Sequence, residues 1–167
     1  IAVMVILALS MSLPPFISQN FGAGLLSRVR QAYISSVRFV LLWQAAIYLV
    51  LVLASSLIAS SFADEPEVAE VIVLFLLIMP LSYGLSGITI LSNSSLNALH
   101  KPMQALFLNI TRLFILMLPC AYIGGQLGGI MGLFIGAMMA NFVTGVLAFL
   151  FLRKRLNVMV ACEESSA

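Results

Sequence analysis

Val71-Ile72-Val73-Leu74-Phe75-Leu76-Leu77-Ile78-Met79 is a continuous apolar run. A barrel strand would alternate polar and apolar residues over segments of about 10. A helix on a water-soluble protein would return a polar residue every third or fourth position. This run does neither, and it sits in a charge-free stretch from 71 to 99. Residues 1–27, 39–63 and 113–152 are also free of charge. About 20 apolar residues at 1.5 Å each cross a bilayer core of about 30 Å. Three of the stretches fit one crossing. The fourth fits most of two and holds Gly124-Gly125-Gln126-Leu127-Gly128-Gly129, a natural break.

Composition agrees. Of 167 residues, 62% are apolar and 8% charged, with a mean hydropathy of +1.15. A soluble domain carries about 25% charged residues, so eight Lys+Arg and six Asp+Glu cannot cover a water-exposed surface. The balance also excludes a disordered tail and a nucleic-acid binder, which needs a basic stripe. The expected fold is an all-α integral membrane domain over 1–152, with helices at about 1–22, 39–62, 71–98, 106–125 and 130–152, and a tail over 153–167. Ile1-Ala2-Val3 has no basic n-region and leads to Pro14-Pro15. It reads as a membrane helix entered partway, in a piece of a longer protein, rather than as a signal peptide.

The loops give a direction. Arg28, Arg30 and Arg38 lie between the first two helices, His100 and Lys101 between the third and fourth, and Arg153-Lys154-Arg155 after the fifth. The other two loops are acidic (Asp64, Glu65, Glu67, Glu70) or an uncharged glycine turn. Basic residues stay on the cytoplasmic side. The alternation puts the N-terminal end outside and the C-terminus in the cytoplasm. Cys120 and Cys162 fall in a helix and in the tail, so neither a disulfide nor a metal site is expected.

Pro14-Pro15-Phe16-Ile17-Ser18-Gln19-Asn20-Phe21-Gly22-Ala23-Gly24, with Arg28 after it, describes a proline-interrupted helix with polar groups at its cytoplasmic end. The prolines remove backbone donors, and in lipid the freed carbonyls need other partners. This predicts a kink, with Gln19 and Asn20 placed to hydrogen-bond near it. The segment is either a structural kink and cap or a wall of a substrate path.

The pattern formed by Pro15, Gln19, Asn20, Gly22, Ala23, Gly24 and Arg28 resembles the motif on the second helix of each half of the multidrug and toxic compound extrusion (MATE) transporters. The resemblance covers nearly the whole chain. It implies a twelve-helix transporter in two six-helix lobes, with this chain as the last five helices of the C-terminal lobe. It implies secondary-active multidrug efflux, with H⁺ or Na⁺ entering as an amphipathic or cationic compound leaves. It also implies a bacterial inner-membrane location and an N-terminal lobe of the same protein as partner.

Three further patterns bear on the site. Ser82, Ser86, Thr89, Asn93 and Asn97 fall within an arc of about 80° on one helix, bordered by Tyr83. Such a face turns inward, either to hydrogen-bond other helices or to line a central cavity. Gly128, Gly132, Gly136, Ala140, Thr144 and Ala148 form a small-residue ridge for close helix packing, with Asn141 beside it. Asn109 and Arg112 are placed near the cytoplasmic boundary, where Arg112 is expected to snorkel to headgroups or water, the alternative being a role in binding or in a gate salt bridge.

No Asp or Glu falls within a span. Ion coupling needs an ionisable group at depth, so the coupling ion is expected in the N-terminal lobe. No cofactor, nucleotide-binding loop or nucleophile–base set is visible, so an enzyme is not expected. A lipid-linked saccharide flippase would need more basic residues in its spans. A non-transporting membrane scaffold would need neither the paired prolines nor the polar stripe.

Overall fold

The structure, a computed structural model, describes residues 2–62 and 66–166. In order, it contains α1 (Ala2–Gly22), α2 (Leu26–Phe62), α3 (Pro66–Ala98), α4 (Pro102–Ile110), a π-helical segment Thr111–Met117, and α5 (Leu118–Ser166). There is no strand among the described residues. The acidic turn expected at Asp64 and Glu65 lies outside them.

Among the described residues, four stretches are long and apolar enough to cross a membrane: Val3–Gly22, Leu26–Ser55, Phe75–Ala98 and Pro102–Glu163. The fourth has 62 residues and would measure about 93 Å if straight. It reverses instead. Gly128 (φ −138°, ψ 20°) and Gly129 (φ 56°, ψ −136°) leave helical geometry, and Gly124 and Cys120 on one arm pack against Gly132 and Gly136 on the other. The glycine string therefore makes a hairpin of two crossings. Among the described residues, continuous stretches number four and crossings five.

The helices outrun the apolar stretches. α2 begins at Leu26 and already carries Arg28, Arg30 and Arg38, which had been placed in a loop. α5 continues to Ser166, and Leu156, placed in the tail, is buried in the core. Charge marks where hydrocarbon ends, but Arg and Lys are good helix formers and do not end a helix.

Two chain reversals share one design. After α1, Leu25 N–H donates to Asn20 O at 2.8 Å and Gly24 N–H to Phe21 O at 3.1 Å. This is a Schellman cap with Gly24 left-handed at φ 75°. After α3, Lys101 N–H donates to Leu96 O at 3.0 Å and His100 N–H to Asn97 O at 3.1 Å. Here the left-handed residue is His100, at φ 57°. Ser18 Oγ donates to Ala98 O at 3.2 Å, and the Phe21 and His100 rings lie 6.3 Å apart, so both caps sit at the same end of the bundle. A side chain costs about 1–2 kcal/mol in the left-handed region. Gly24→Ala is therefore expected to lower stability by about 1 kcal/mol. His100→Gly should raise it by up to about 1 kcal/mol. Thermal melting in detergent of the two variants checks the opposite signs.

The core joins Ile6, Leu13 and Ile17 of α1, Val29, Tyr33, Val37 and Val40 of α2, Ile88, Leu91 and Leu96 of α3, and Leu152 and Leu156 of α5. Tyr33 is fully buried. Its hydroxyl lies 2.8 Å from Ser92 Oγ, and Ser92 donates onward to Ile88 O at 2.7 Å. Tyr33 is thus the donor to Ser92.

Candidate functional site

The middle of α3 presents Ser82 and Ser86, both buried, to the hairpin. Asn141 on α5 is also buried. It donates from Nδ2 to Ser82 Oγ at 2.7 Å, and its Oδ1 accepts from Arg112 Nη2 at 3.2 Å. The same Nη2 donates to Ser86 Oγ at 3.2 Å. Three elements thus converge on one cation, and both of its acceptors are neutral. Its Nε is buried without a hydrogen-bond partner. No Asp or Glu lies between Glu70 and Glu163 in the sequence.

This corrects the expectation that Arg112 snorkels. α4 starts at Pro102, so Arg112 lies about 15 Å along the helix at 1.5 Å per residue. Its guanidinium turns inward to Ser86 and Asn141 rather than along the helix toward headgroups. Its local backbone is also unusual. Arg112 is the second residue of the π-helical segment, and Leu118 N–H reaches back to Leu113 O. Pro119 follows. It has no N–H, and its ring would collide with the Ile115 carbonyl in a regular helix. The wider turn removes that collision and resets the side-chain register. Pro119 was the sequence signal for this segment.

The rest of the α3 stripe divides. Thr89 is fully buried and bonds only weakly back to Leu85 O at 3.5 Å. Asn93 is half-buried and donates to Asn109 Oδ1 at 2.7 Å, which ties α3 to α4. Asn97 and Tyr83 are exposed, and neither joins the network around Arg112. On α1, Gln19 is exposed and Asn20 donates to its own helix at Phe16 O, 2.8 Å. α1 runs as one helix through Pro14 and Pro15, and the helix ends at Gly22 and the Gly24 cap. Ser18, not Gln19 or Asn20, makes the bond to α3. Pro15, Ala23 and Arg28 are exposed.

Sequence reading passed over three buried polar residues, Gln44, Ser92 and Ser95, of which Ser95 donates to its own helix at Leu91 O, 2.7 Å. Ser92 lies on the Tyr33 side of α3. Gln44 on α2 is buried and donates from Nε2 to Pro80 O at 2.6 Å, while its Oε1 has no partner. A lone Gln in an apolar helix gives no pattern to find. Gln44 borders an apolar cleft of about 530 Å³ with Leu41, Tyr48, Leu81, Met138 and Phe142. On α3, that cleft and the Arg112 network occupy different faces.

The ridge is used in two parts. Gly132 and Gly136 meet the backbone of Gly124 and Cys120, and Ala140, Thr144 and Ala148 are buried. Gly128 has open space around it and belongs to the turn.

The family model MatE matches residues 1–123. The chain belongs to the MatE family. It is 38% identical over 156 residues to a FAD transporter of Shewanella oneidensis, a match that covers 93% of this chain and 34% of that protein. The crystal structure of the Vibrio cholerae MATE transporter VcmN in its bent form is 39% identical. It superposes with a TM-score of 0.86 and covers 95% of this chain and 36% of that one. A multidrug resistance MATE family transporter of the MOP superfamily, 17% identical, shares the fold at a TM-score of 0.85 in its outward-facing and its inward-facing conformation. Those matches cover 96% of this chain and 36% and 38% of the transporter. This MatE chain thus spans about a third of the length of its relatives, which are transporters, and it is an integral membrane protein.

Proposed function

We propose that this chain supplies most of one lobe of a secondary-active exporter. The exporter works by alternating access, with H⁺ or Na⁺ entering as an amphipathic compound leaves. The observation that carries this reading is the polar network of Ser82, Ser86, Arg112 and Asn141. It lies within spans, where polar groups are costly and mark substrate or ion paths. The lobe also matches outward-facing and inward-facing relatives equally well, as a unit that rocks without repacking does. The coupling carboxylate is proposed to lie in the opposite lobe, because no acid lies between Glu70 and Glu163 here. The basic ends of the helices support a bacterial inner-membrane orientation with the C-terminus in the cytoplasm.

A broad multidrug range rests on the family resemblance. The FAD transporter relative favours an amphipathic, aromatic substrate. The test is reconstitution of the full-length protein in liposomes with an imposed pH or Na⁺ gradient. Gradient-dependent movement of FAD or ethidium is expected, and none from the 167-residue chain alone. Flux that ignores both gradients sinks the coupled-export reading, and flux from the isolated chain sinks the one-lobe assignment.

A further inference from the structure

We infer that Arg112, held by Ser86 and Asn141, is the anchor for an anionic phosphate group on the transported compound. This rests on the export reading, and it departs from the cationic substrates that the family resemblance implies.

Three observations point the same way. First, Arg112 sits at membrane depth without a carboxylate. A guanidinium taken out of water needs a counter-charge, and its two bonds go to a serine and an amide. Second, the bonds orient the group rather than neutralise it. Both leave from Nη2, to Ser86 on α3 and to Asn141 on α5, and Nε is buried. The Nη1 N–H donors, held in a fixed plane by these bonds, are the ones left to meet a phosphate oxygen. Third, Arg112 is only half-buried, so part of it stays accessible to a ligand. A cation placed there would meet like charge in a low-dielectric setting, where repulsion is strongest. A phosphate on an amphipathic body supplies what is missing. It can come from a nucleotide-type compound or from a phospholipid headgroup.

The test uses the full-length protein in nanodiscs, with FAD, riboflavin and ethidium as fluorescent probes. In neutral phosphatidylcholine, FAD should bind at least tenfold more tightly than riboflavin, which shares the flavin but has no phosphate. Arg112→Gln should bring FAD to the riboflavin level and leave riboflavin unchanged. Asn141→Asp keeps the arginine but gives it an internal counter-ion, so it should remain monodisperse and lose the same phosphate advantage. Nanodiscs with phosphatidylglycerol separate the two sources. If the lipid headgroup is the occupant, FAD affinity falls there more in the wild type than in Arg112→Gln. If it is not, the anionic surface lowers FAD affinity by the same factor in both.

Equal binding of FAD and riboflavin by the wild type overturns the inference. So does tighter binding of ethidium than of FAD, or no binding by any phosphate-bearing probe. A parallel loss of FAD and riboflavin in Arg112→Gln assigns the residue to structure and overturns it too. Gradient-driven FAD export that ignores Arg112→Gln leaves the export reading standing without this site. Arg112-dependent FAD binding with no gradient-driven flux of any probe leaves the site standing without the export reading.

Discussion

Replacing Gly132 by valine is expected to leave little correctly folded protein. A Cβ built on Gly132 runs into the carbonyl oxygen of Gly124, and one built on Gly124 runs into the carbonyl oxygen of Gly132. The next pair repeats the arrangement, with Gly136 against the backbone of Cys120. The obstacle in each case is main chain, which cannot rotate away as a side chain can. The two arms of the hairpin must therefore separate. In lipid there is little hydrophobic force to hold them, because acyl chains are as apolar as the helices, and close backbone packing supplies the attraction. Overpacking a tight interior costs about 1–3 kcal/mol, and more where backbone must shift. The loss here should reach the upper end of that range or exceed it. Gly128→Ala is the control, since Gly128 has nothing within 4 Å of an added Cβ and a negative φ. Fluorescence-detected size exclusion should show the monodisperse peak collapse for Gly132→Val and persist for Gly128→Ala. Equal peaks would remove the hairpin contact from the account.

The hairpin is legible in the sequence because it is written twice. The charge-free stretch 113–152 is too long for one crossing, and glycines break it where a reversal is needed. The alternation of basic and non-basic loops likewise foretold that the caps at Gly24 and His100 share one end, and they do. Helix ends were not legible, since charge reports the edge of hydrocarbon and α2 runs past that edge from Leu26. The paired prolines promised an interruption, yet α1 continues through them and stops at a glycine cap.

The site was half legible. Periodicity on α3 picked out Ser82 and Ser86, and adjacency to the ridge picked out Asn141. Periodicity assumes 3.6 residues per turn, and the π-helical segment departs from it, so the facing of Arg112 could not be computed from sequence spacing. Pro119 marked the departure without giving its register. Gln44 offered no pattern at all, because one polar residue has no spacing.

Asn141→Leu is expected to destabilise the fold by about 2–3 kcal/mol, although leucine is the more lipid-compatible residue. Asn141 serves two partners at once, donating to Ser82 and accepting from Arg112. Leucine deletes both bonds, so a buried serine hydroxyl loses its donor and Arg112 keeps only Ser86. Leaving a buried polar group unsatisfied costs about 1–3 kcal/mol. Stranding a fully buried charge costs about 3–5 kcal/mol, and Arg112 is half-buried, so only part of that applies. The arginine should be the source of most of the loss. Removing it as well, in Arg112→Met with Asn141→Leu, should recover much of the stability, since an apolar pair no longer has a charge to solvate. A double-mutant cycle on thermal melting, with Arg112→Met alone as the fourth corner, measures the coupling. A double variant less stable than either single variant would mean that Asn141 packs rather than solvates, and that the cation draws its support from elsewhere.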